Sequence, residues 1–151
     1  MDLGKFETQL FFTTARISVQ KNTGDGASVG TGFLVRSTIP GHNDRFVILL
    51  ISNKHVYHDP KQPVEMTFHC RNTAEPDKPD LTQHVTWKSS AFQGLYAEHP
   101  DPAIDIACTN VTFITEPQHN IYWRCLPIEM FATFTEPNLL PGQKIRFIGY
   151  P

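Results

Sequence analysis

Apolar and β-branched residues fall in short runs along this chain, and polar loops rich in Pro, Gly, Asn and Asp separate them. That texture predicts strands. Phe11–Gln20 reads as a first strand. Asn22-Thr-Gly-Asp-Gly26 then supplies Asp-Gly turn chemistry, and Ala27–Arg36 returns as a second strand. Gly30 and Gly32 lie inside it and mark a bulge, a bend or a close backbone approach. Ser37–Asp44 is a loop around Pro40-Gly41. Arg45–Ser52 is almost wholly apolar, which predicts a strand buried on both faces. Asn53–Tyr57 is a turn or a single helical turn. Val64–Cys70 alternates as a strand, and Arg71–Asp80, polar with two prolines, is a loop. Val85–Ser89 and Ile104–Val111 are further strands. Ile128–Ala132 is a short strand or a helical turn, and Lys144–Tyr150 is a strand introduced by Pro141-Gly142. Leu3–Leu10 is a weak helix candidate.

Short strands without long helical patterns point to an all-β antiparallel barrel or sandwich. A length of 151 residues suits one domain, and 40% apolar with 19% charged residues suits a globular core. A net charge of −2 argues against a nucleic-acid partner reached through broad phosphate contact. No run approaches the roughly 18 apolar residues of a membrane span, so no membrane partner is expected. The N-terminus lacks the basic start and apolar core of a secretory signal. Cys70, Cys108 and Cys125 are odd in number and form no CxxC pair, so free thiols in a reducing, cytoplasmic setting are expected.

Two positions could carry chemistry. His55 ends the apolar run, and Asp105 lies between Ile104 and Ile106, where it enters an apolar strand and needs a partner for its charge. A neutral imidazole can take a proton near pH 7, and a carboxylate on its other nitrogen fixes the tautomer. Taken alone, a histidine after a strand is more often a turn or surface residue, and an aspartate at a strand edge is more often a cap. Asp101 competes as the carboxylate but precedes Pro102 in a loop. His55-x-x-His58 and His69-Cys70 lack zinc spacing, so neither metal nor cofactor is expected. The phenylalanines, Trp87 and Trp123 read as core and interface, since no basic residues interleave with them.

Four motifs in order give these positions a context: Gly30-Thr-Gly-Phe-Leu-Val35, Ile51-Ser-Asn-Lys-His55-Val56, Asp105-Ile-Ala-Cys108 and Pro141-Gly-Gln-Lys-Ile-Arg-Phe-Ile-Gly-Tyr-Pro151. From about Ala15 onward the chain resembles the N-terminal barrel of the trypsin-like (chymotrypsin-fold) serine peptidases, closest to the disulfide-free bacterial-type branch. The order His before Asp, with the nucleophile last, fits that family and not the subtilisins or α/β-hydrolases. Ser52 stands where many members have threonine or alanine, and Val56 where secreted members have cysteine.

The resemblance implies an antiparallel six- to seven-stranded Greek-key barrel at 15–151, half of a double barrel, with 1–14 as an N-terminal extension. It implies His55 as general base and Asp105 as its orienting carboxylate, acting on a polypeptide substrate. The nucleophile turn, the oxyanion hole and the specificity pocket would lie on a second barrel, expected past Pro151. No serine of this chain has such a setting; Ser28, the nearest to glycines, belongs to the second strand. The chain alone is therefore expected to be inactive, with an exposed docking face prone to self-association. The alternative is a non-catalytic protein-binding barrel acting through that face.

Overall fold

The computed structural model describes residues 6–128. A short helix α1 (Phe6–Leu10) and a 3-10 turn (Phe11–Thr13) lead into β1 (Thr14–Gln20), β2 (Ala27–Ile39) and β3 (His42–Ser52). One helical turn, α2 (Lys54–Tyr57), follows. Then come β4 (Val64–Arg71), β5 (Pro79–Ser89), β6 (Tyr96–Glu98), β7 (Ala107–Asn110), β8 (Ile121–Tyr122) and β9 (Leu126–Pro127). The all-β expectation holds. The sheet runs β5-β4-β1-β2-β3-β7-β6, with β8 added to β4 and β9 to β2. The seven strands of the main path match the expected number, and two short strands are added to it. All pairings are antiparallel except that of β9 with β2. β5 and β6 end the path without pairing to each other, so the barrel-like sheet is not closed.

Alternation builds the core. In β4 the even positions Val64, Met66, Phe68 and Cys70 are buried, and the residues between them are half-buried. β1 adds Ala15, Ile17 and Val19, β2 adds Leu34, β3 adds Ile48 and Leu50, and Tyr57 and Phe92 plug the interior. β3 corrects an expectation. Its apolar run does not bury both faces alike: Ile48 and Leu50 are buried, but Val47, Leu49 and Ile51 are only half-covered. The 3-10 turn also replaces the start of the expected first strand. Phe12 is buried there and packs edge-on against His69 and Tyr122.

The expected strand over Ile104–Val111 is shorter, because β7 begins at Ala107. The expected elements at Lys144–Tyr150 and most of Ile128–Ala132 lie outside the described residues, as does the Pro141–Pro151 motif. No helix among the described residues is long and apolar enough to cross a membrane.

Candidate active site

The pairing of β3 with β7 sets the site. Ser52 sits opposite Ala107, so the chain leaving β3 and the chain entering β7 run side by side. His55 lies three residues beyond Ser52 and Asp105 two residues before Ala107. The register thus brings together residues 50 positions apart.

β2 holds α2 from beneath. The Ser28 hydroxyl donates to the His55 backbone carbonyl at 2.9 Å, and the Ser52 hydroxyl donates to the Thr31 carbonyl at 2.8 Å. Gly30 leaves the space into which Val56 packs. A Cβ built on Gly30 would stand 2.5 Å from Val56 Cγ2. Of the bulge, bend or close backbone approach expected from the glycines, Gly30 shows a close approach by the Val56 side chain, which seats the residue next to His55. Behind it, Tyr57 is fully buried and its hydroxyl donates to the Leu50 carbonyl at 2.5 Å.

His55 Nδ1 lies 2.5 Å from Asp105 Oδ2, and the His55 backbone N–H donates to Asp105 Oδ1 at 3.1 Å. One carboxylate thus holds both the ring and the backbone of the same residue. It also takes over the capping of α2. Asn53 stands at the N-cap, but its side chain makes no cap bond. The Asn53 amide instead donates to the Asp105 carbonyl at 3.0 Å and to Oδ2 at 3.2 Å. An orphan N–H of the first turn is satisfied by an aspartate from another element.

The His55 side chain is 70% exposed and that of Asp105 47%. This corrects the expectation that Asp105 enters a buried strand. It lies before β7 in an exposed segment, and its charge avoids the cost of burial by keeping water on one side and His55 on the other. The hydrogen bond from the His55 side chain, then the His55 backbone N–H, the imidazole charge and the Asn53 amide, hold the Asp105 carboxyl below the usual aspartate range against partial desolvation. Asp105 is therefore ionised wherever histidine titrates. With Nδ1 engaged, Nε2 is the nitrogen left to accept a proton.

Asp101 serves its own turn, since Oδ1 accepts from the Ala103 N–H at 2.9 Å. Among the described residues no cluster of three or more His, Cys, Asp or Glu side chains could hold a metal ion. The three cysteines are free. Sequence reasoning passed over Asn53. Its signal was an asparagine just before a helical turn that holds the candidate histidine. Comparison with known proteins finds no matching family model, curated protein or solved structure.

Proposed function

We propose that this chain is the histidine- and aspartate-bearing barrel of a trypsin-like serine peptidase. The observation that carries the reading is the two-point hold of Asp105 on His55, through the ring at 2.5 Å and the backbone at 3.1 Å. Such a hold selects the Nδ1–H tautomer and leaves Nε2 as base, which a hydroxyl nucleophile needs to attack a peptide carbonyl. In the proposed cycle His55 takes the nucleophile's proton and passes it to the leaving amine. Asp105 stays ionised and stabilises the imidazolium. The nucleophile and the oxyanion-binding amides would belong to a second barrel, as the resemblance to the trypsin-like peptidases implies. Ser28 does not serve as nucleophile, because its hydroxyl is bound to the backbone carbonyl of His55.

Ile104 and Ile106 flank Asp105 and are 37% and 50% exposed. Apolar side chains beside a charged pair suit a surface that a second barrel covers. They suit a purely protein-binding barrel equally, but such a barrel has no need of a carboxylate-held imidazole. Labelling with a fluorophosphonate separates the two. The 151-residue chain is expected to remain unlabelled. The chain joined to the second barrel proposed for it is expected to label, and to stop labelling on His55→Ala. Labelling of the 151-residue chain, or a joined chain indifferent to His55→Ala, contradicts the proposal.

A further inference from the structure

The segment that delivers Asp105 is the turn of the β6–β7 hairpin, closed at its base by the His99 N–H donating to the Ile106 carbonyl at 2.9 Å. Residues 100–106 are all exposed, so none of their side chains is anchored in the core. Internal bonds shape the segment: the Ala103 N–H reaches Asp101 Oδ1 at 2.9 Å and the Ile104 N–H reaches the Asp101 carbonyl at 3.2 Å. Those bonds close a turn without fixing where the turn sits relative to α2. An exposed turn without buried side chains keeps its place over α2 only through bonds that offset its conformational entropy.

Asn53 and His55 tie the segment to α2 at Asp105, and Lys54 adds a tie on its other limb. The Lys54 ammonium donates to the His99 carbonyl at 2.9 Å and to the Asp101 carbonyl at 3.1 Å. A lysine on a surface turn ordinarily spreads its head into water. Here Lys54 is half-buried between exposed Asn53 and exposed His55, and it bridges to backbone 45 and 47 residues away. Bonds from a charged donor are stronger than neutral ones, and two of them from one ammonium fix a direction. Asn53, Lys54 and His55 are consecutive, and all three grip the same segment. We infer that Lys54 is a positioning residue: by holding the carbonyls of His99 and Asp101 it delivers Asp105 to His55 and so fixes the tautomer of the ring. The inference rests on the proposed catalytic pairing of His55 with Asp105.

Nitrogen-15 NMR of the histidine-labelled 151-residue chain tests it, because the two ring-nitrogen shifts report the tautomer directly. Wild type is expected to hold His55 as Nδ1–H. Lys54→Met keeps the apolar stem and removes the donors. It is expected to lower the Nδ1–H to Nε2–H ratio by roughly tenfold, while the chain stays folded. Lys54→Arg, which can also serve two carbonyls, is expected to restore the ratio. Asn53→Ala, which cuts the second tie, is expected to act in the same direction as Lys54→Met. A folded Lys54→Met chain with the wild-type ratio overturns the inference. So does unfolding of both Lys54 variants, which would make the residue a support of the whole fold. Asp105→Asn is the control. A wild-type ring not held as Nδ1–H, or one indifferent to Asp105→Asn, shows that the pairing itself fails, separately from the tie.

Discussion

Gly30→Ala is the sharpest test of how the strand beneath the site governs the histidine above it. The added methyl would stand 2.5 Å from Val56 Cγ2, 2.9 Å from Cγ1 and 3.3 Å from Cβ. Valine is stiff at χ1, and with its Cβ also crowded no rotation clears both methyls. Val56 is 5% exposed and packed in the core, so α2 must shift instead. Overpacking of this kind costs about 1–3 kcal/mol. The alanine returns about 0.4–1 kcal/mol by restricting the unfolded chain. The net loss is about 1–2 kcal/mol, a fall in melting temperature of about 2–8 °C for a chain of this size. Thermal and urea unfolding of a double-mutant cycle with Val56→Ala provides the assay. Val56→Ala alone is expected to cost about 2 kcal/mol. In the double variant the new methyl occupies the emptied space, so the combined cost is expected to fall short of the sum by about 1–2 kcal/mol. Costs that add to within about 0.5 kcal/mol would refute the steric argument.

Three further outcomes follow from the same geometry. Asp105 titrates below its ordinary value in the fold, so its stabilisation is present above the unfolded value near 3.8 and is lost as pH falls through the folded one. The stability gap between wild type and Asp105→Asn, measured by urea unfolding across pH, is therefore expected to close as the solution is acidified through the aspartate range. A gap that widens in acid contradicts this. Burial pushes the Tyr57 phenol well above its ordinary value of 10.0, so the fold favours the neutral form and loses stability as pH climbs past that value. Tyr57→Phe is expected to cost about 1–2 kcal/mol at pH 7, since the Leu50 carbonyl loses its buried donor, and to flatten the alkaline decline. With Cys70, Cys108 and Cys125 all free, thiol titration of the denatured, unreduced chain is expected to find three thiols. A count of one would reveal a disulfide that the structure does not contain.

The sequence announced elements whose signal is local. The alternation of β4 and the turn after β3 follow directly from the order of residues, and the glycines within β2 marked a special position without saying that Val56 would fill it. Elements made by their partners stayed hidden. β8 and β9 are two residues each and exist because β4 and β2 offer them an edge. β5 begins at Pro79, inside the stretch expected as loop, and runs through exposed residues 81–84 that carried no strand signal, because an edge strand facing water there has no alternating apolar face to display. Ile104 and Ile106 misled in the opposite sense: apolar residues suggested a buried strand, yet both stand in the exposed segment beside the site. For the site, His55 and Asp105 could be named from their types and order. Asn53 showed only its place before the helical turn, and Lys54 showed nothing, since its role arises from a loop that folds back 45 or more residues later.

The central claim is that the imidazole held by Asp105 removes a proton during peptide-bond cleavage. Hydrolysis of an unstructured polypeptide by the chain joined to the second barrel proposed for it tests it most directly, with kcat compared across wild type, His55→Ala and Asp105→Asn. The expected result is a fall of roughly 10⁴-fold or more for each variant, the size of effect met when the base or its orienting carboxylate is lost from a serine triad. Cleavage at the wild-type rate in either variant would contradict the account.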